Sequence, residues 1–184
     1  LISVIMGLGI THLATGAAKL IQHRDDVRLY LPHALWTINV LMFILLIWWG
    51  MFWWSGHENW YAYEYLFITF YAIVLFFLAS MLYPWDMQGD IDVREHFFKN
   101  RLWFFGALFL AWCLDIPETV TKANADLRPV PQEYFWFVGI QLAIAATGLI
   151  TRRQIVHLLL PIIWFSLTVY YVLLSSLGFI ASGG

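Results

Sequence analysis

A chain of 184 residues that is 61% hydrophobic and 12% charged, with a formal net charge of −2, carries more apolar side chain than the roughly 45–50% of a soluble domain. That charge balance offers no basic surface and excludes nucleic acid as a partner. Cys113, the single cysteine, lies in an apolar run, which rules out a disulfide framework and a cysteine-ligated zinc site.

The fold expected from this composition is all-α, one polytopic membrane domain over 1–184 with the lipid bilayer as its first partner. A crossing helix needs about 20 apolar residues, and six segments meet that need, over about 1–20, 32–54, 63–83, 98–118, 132–150 and 155–179. Long unbroken apolar runs without period-two alternation require helices, which satisfy their own backbone polar groups in lipid.

The first span opens at Leu1 in mid-hydrophobic run, so the true start is expected a few residues upstream, and no small-residue site for signal cleavage follows. Gly9, His12, Gly16 and Lys19 share one of its faces, where glycines allow close helix approach and the imidazole is a proton carrier, a ligand or a hydrogen-bond partner for Asn39. Lys19 is expected to reach up to the headgroups. Span two starts at Pro32 and ends in Trp48, Trp49, Trp53 and Trp54, rings of the kind that collect at a membrane boundary. Span three begins beside Glu64.

Asp92 and Glu95 have the D-x-x-E spacing of a helix start and lead through Phe97 and Phe98 into span four. Pro117 suits the exit of that span and Pro131 the first turn of span five. The stretch between them, with Lys122, Asn124 and Asp126, reads as a solvated external loop. Span five carries Gln141 at mid-depth.

Lys19, Arg24, Arg28, Arg94, Lys99, Arg101, Arg152 and Arg153 follow the odd-numbered spans, against Lys122 and Arg128 on the other side. By the positive-inside bias the first set is cytoplasmic and both termini lie outside. RLYLPHALW from Arg28 echoes HLLLPIIWF from His157, and GITHLATGAAKL from Gly9 echoes GIQLAIAATGLI from Gly139. The echo is either chance between apolar hairpins or a parallel repeat relating spans one and two to five and six.

Polar groups inside spans are the default pointers to a site. Candidates for transport or proton handling are His12, Asn39, Glu64, Asp115 and Gln141. Glu64, Asp115, Glu118 and Glu133, near His57 and Glu58, form either an acidic vestibule for a proton or cation or a set of hydrated interfacial carboxylates. His12 and His33 are the residues a haem or pigment would use, though the sequence requires no cofactor. His23, His33, His96 and His157 lie near Asp90, Asp92 and Glu95, but D-x-D-x-x-E-H fixes no metal geometry, so no metal site is assigned. There is no G-x-S-x-G, no phosphate loop and no deep catalytic pair, hence no catalytic residue. An enzyme is the less favoured reading, and as a lipid-modifying one it would use His96, Asp92 and Glu95.

The opening GLGITHLATGAAKLIQHRDDVRLYLPHALW, the aromatic spans after it and the later FFKNRLWFF resemble a group of uncharacterised bacterial multi-span inner-membrane proteins. The resemblance covers most of the chain and implies a multi-pass protein of the bacterial cytoplasmic membrane. It brings no activity, cofactor or site residue. The leading functional expectation is a non-catalytic subunit or scaffold that packs against other membrane subunits or its own copies. The alternatives are a small proton- or cation-linked transporter or channel, with a polar cavity between spans one, two and five, and a haem- or pigment-binding protein.

Overall fold

The computed structural model describes residues 1–23, 27–58, 60–84 and 91–181, and their side chains except at 27, 28, 91 and 176–181. Arg24, Asp90 and the side chain of Arg28 fall outside the described set. Among the described residues there are six α-helices: α1 (Ile2–Gln22), α2 (Leu31–Met51), α3 (Ala62–Ser80), α4 (Val93–Asn124), α5 (Tyr134–Ile150) and α6 (Gln154–Ala181). Five of them are long and apolar enough to cross a membrane, and α5, at 17 residues, is the shorter sixth. The all-helical bundle is thus the one expected, apart from a two-residue parallel pairing of β1 (Val27–Arg28) with β2 (Ile91–Asp92) that ties the α1–α2 and α3–α4 connections together at one end.

Helix neighbours run α1–α3–α4–α5–α6–α2 and back to α1, a closed ring. Going round it, α2 follows α1 in one sense and α6 follows α5 in the other. No rotation about the membrane normal therefore carries the first pair onto the second, and the sequence echo does not extend to a rotational repeat of the bundle.

Local chemistry sets the helix ends. Pro32 occupies the first turn of α2, where its missing N–H removes no helical bond. Glu64 folds back to accept from the backbone N–H of Tyr61 at 3.0 Å and starts α3. Asp92 accepts from the amides of Arg94 and Glu95 at 2.9 and 3.0 Å and starts α4. Pro131 stands in the turn before α5 rather than in its first turn, its carbonyl accepting from the Tyr134 amide.

The largest departure from the sequence reading is at Pro117, which does not end span four. The helix continues through it to Asn124. Asp115, Glu118 and Lys122 fall at i, i+3 and i+7, one face of a helix, and that face is buried with its polar atoms bonded. Those bonds outweigh the hydrogen bond that proline forfeits. The end comes where Asp126 takes a left-handed conformation, φ 55°, and Leu127 and Asp126 return their amides to the carbonyls of Lys122 and Ala123. This is the Schellman pattern that closes many helices. The expected loop over 117–131 shrinks to the few residues before α5.

The core is aromatic. Trp36, Phe43, Phe104, Phe105, Trp112 and Trp164 are fully or almost fully buried at the centre of the ring. Close packing is allowed by two glycines: an added Cβ would come within 2.3 Å of the Tyr83 ring at Gly16 and within 2.4 Å of the Phe105 ring at Gly148.

Candidate functional site

The hairpin order puts the end of α2, the start of α3, the end of α4 and the start of α5 at one end of the bundle. There the polar side chains converge. Asp115 accepts from two tyrosine hydroxyls, Tyr71 of α3 at 3.1 Å to Oδ1 and Tyr134 of α5 at 2.7 Å to Oδ2. One turn on, Glu118 Oε1 accepts from the indole N–H of Trp54 at 2.8 Å and pairs with Lys122 Nζ at 2.8 Å. Lys122 also donates to the Gly50 carbonyl at 3.3 Å. Asp115, Glu118 and Lys122 are 6, 3 and 5% exposed. They are therefore neither loop residues nor hydrated interfacial groups, as the sequence reading allowed. Among the described residues two carboxylates face one ammonium, which pairs with Glu118 and leaves Asp115 bonded to tyrosine hydroxyls alone.

A shallow cavity of about 220 Å³ lies beside this cluster, between the start of α3 and the proline turn of α4, lined by Trp54, Tyr63, Glu64, Phe67, Pro117 and Thr121 among others. Glu64 is buried at its edge and bonded to His57 Nε2 at 3.2 Å. Glu58 is exposed and Glu133, which precedes α5, is half-buried. Of the four carboxylates expected to form a vestibule, the structure joins Asp115 and Glu118 inside the bundle and sets Glu64 at a cavity next to them.

The other candidates separate. His12 faces the Tyr83 ring at 6.4 Å between centroids. Asn39 does not meet it and donates instead to the Pro161 carbonyl of α6 at 2.8 Å. Gln141 bonds Thr168 of α6 at 3.1 Å. Among the described residues α1 and α5 are not neighbours in the ring, so His12, Asn39 and Gln141 each bond or pack within a different helix pair. An apolar helix gives no sign of which face meets protein, and that is why the partners of these residues were not legible.

At the opposite end, His33 donates from Nε2 to the Leu82 carbonyl at 2.7 Å and packs edge-on against Tyr83, whose hydroxyl bonds Thr37 at 3.0 Å. His33 Nε2 is thus engaged, and His12 and His33 pack against the same tyrosine ring. Among the described residues no group of three His, Cys, Asp or Glu side chains is placed to hold a metal. Asp92 is spent on capping α4, while His96 contacts Asn100. Asp92 and Glu95 line a shallow cavity of about 330 Å³ together with Arg94 and Phe98.

Two residues that the sequence reading set near the interface are buried at this end. Arg101, taken as an interfacial cation, is 4% exposed and donates to the carbonyls of Gly148 and Thr151 where α5 turns into α6. His157 donates to the same Thr151 carbonyl at 3.0 Å. A signal existed in FFKNRLWFF, where Arg101 stands one turn after Phe97 and one before Phe105 on a face of rings. Comparison of the chain with known proteins finds no matching family model, curated protein or solved structure.

Proposed function

We propose that the protein handles a proton or small monovalent cation at Asp115, within a small membrane transporter or channel. The observation that carries this reading is the pairing of two buried carboxylates with a single ammonium in α4. A charge enclosed in a helical bundle is costly without a neutralising partner. A proton or cation taken up at Asp115 supplies it. Tyr71 and Tyr134 orient that carboxyl, the Glu118–Lys122 pair sets the local field, and the cavity at Glu64 lies beside the cluster, against Trp54 and Pro117. The same reading places this end outside and the basic end, with Lys99, Arg152 and Arg153, in the cytoplasm of a bacterial cell. The positive-inside bias and the family resemblance support that placement.

The test is dissipation of imposed proton and potassium gradients in vesicles containing the purified protein. The wild type collapses one of them, Asp115→Asn removes the activity, and Glu133→Gln keeps it. Vesicles no leakier than empty ones under either gradient would sink the reading.

A second reading, a subunit or scaffold of a membrane assembly, is favoured by the ridge at the end of α2. Trp49 and Phe52 are 76 and 80% exposed, and Trp53 carries Arg128 on its face at 5.4 Å. Purification in mild detergent followed by mass spectrometry separates the two: a stoichiometric partner lost on Trp49→Ser with Phe52→Ser selects the scaffold, and a self-contained chain selects transport.

A further inference from the structure

Among the described residues, five deeply buried side-chain atoms in the part of the bundle built by α2, α4, α5 and α6 have no hydrogen-bond partner in the protein: the indole nitrogens of Trp36, Trp112 and Trp164, Gln141 Oε1 and His157 Nδ1. Each of these residues is at most 4% exposed. An unpaired buried polar group is costly, and lipid on the far side of the helices provides no relief. Five in one core call for a common answer.

Their chemistry is complementary. Thr168 Oγ1 donates to the Trp164 carbonyl at 2.9 Å, so toward Gln141 it can only accept. Gln141 must then present its amide N–H₂ to Thr168, which leaves Oε1 as a bare acceptor. His157 Nε2 faces the Thr151 carbonyl and must carry the proton. Its Nδ1 is therefore a lone-pair acceptor too. Against these two acceptors stand three indole donors.

They also adjoin. Trp112 lies one helical turn from Asp115, and its ring is 6.4 Å from Trp164, which is 6.3 Å from Trp36. Trp36 is 5.4 Å from Phe105, and Phe105 is 5.5 Å from His157. These ring contacts set the residues side by side through the core, Gln141 joins them through Thr168, one turn from Trp164, and the orphaned donors and acceptors call for a bridging molecule that both accepts and donates. Water does both, and internal water of this kind joins two to four polar groups.

We propose that this column binds a chain of internal water molecules, held by the indole N–H groups of Trp112, Trp164 and Trp36 and by Gln141 Oε1 and His157 Nδ1, linking the Asp115 cluster to the opposite end of the bundle. As a proton route it rests on the reading of Asp115 above. A proton passed along the waters arrives at Nδ1 of His157, giving the imidazolium. Because Nε2–H stays on the Thr151 carbonyl, Nδ1 returns that proton to the adjoining water, so His157 is the end of the column and only O–H and N–H bonds are made and broken. His12, across the ring on α1, takes no part.

The experiment is water-edited solid-state NMR on protein carrying ¹⁵N-indole tryptophan in lipid vesicles, the peaks assigned with Trp112→Phe and Trp164→Phe. Polarisation from water is expected to reach the Trp112 and Trp164 indoles, and to be lost at Trp164 in Gln141→Leu, or in Gln141→Met should the leucine variant fail to fold. No transfer to either indole, while the exposed Trp49 indole builds up, overturns the proposal, whatever the vesicles do with a proton gradient. Hydrated indoles in vesicles that hold their gradient uphold the column and sink the reading of Asp115 instead.

Discussion

Tyr134, the first residue of α5, places its hydroxyl 2.7 Å from the carboxylate of Asp115, 19 residues earlier in the chain. The bond closes the acidic end of the bundle, since α5 has no side-chain cap of its own there. Tyr134→Phe removes the donor and leaves the ring. With a charged acceptor the loss is about 1.5–3 kcal/mol, and Tyr71→Phe, whose bond is the longer at 3.1 Å, costs less. Thermal unfolding in detergent micelles gives the order.

Lys122→Met leaves Glu118 buried beside Trp54 with no cation. Breaking one side of a buried ion pair costs about 3–5 kcal/mol, whereas replacing both sides is far milder. The double variant Glu118→Gln with Lys122→Met is therefore more stable than Lys122→Met alone. Equal or additive losses in the unfolding midpoints would show that the pair is not coupled as its 2.8 Å separation implies.

The glycines divide by what faces them. At Gly148 an added Cβ meets the Phe105 ring at 2.4 Å, while at Gly139 it meets nothing within 4 Å. Gly148→Ala is expected to cost about 1–3 kcal/mol by overpacking, with partial recovery in Phe105→Leu. Gly139→Ala on the same helix is neutral or gains up to about 1 kcal/mol from helix propensity. Comparing the two variants by resistance to detergent unfolding checks the packing of α5 on α4.

Asp126 ends α4 at φ 55°. A left-handed backbone costs a residue with a Cβ roughly 1–2 kcal/mol and a glycine none, with aspartate at the lower end of that cost. Asp126→Gly should raise stability, and Asp126→Val should lower it by more than a change in an exposed loop would. Melting temperatures of the two, moving in opposite directions, are the measure.

Helix number and most ends were legible because lipid imposes a length and a polarity that composition cannot disguise, and because Pro32, Glu64 and Asp92 mark starts by local chemistry. The second half of α4 was hidden. Lys122, Asn124 and Asp126 have the composition of a loop, and Pro117 stands where a span would end. The spacing of Asp115, Glu118 and Lys122 was the available sign of a continuing helix, and only their partners on three other elements make that face pay its way in a bundle. Asp115 was singled out correctly as deep. Its tyrosines were not, since no local pattern joins residues 71, 115 and 134.

Arg101 has its acceptors at Gly148 and Thr151, 47 and 50 residues further along the chain. That guanidinium therefore has its acceptors only where the C-terminal hairpin is in place, and a chain cut short after α4 would carry a buried-site cation that the remaining helices cannot satisfy.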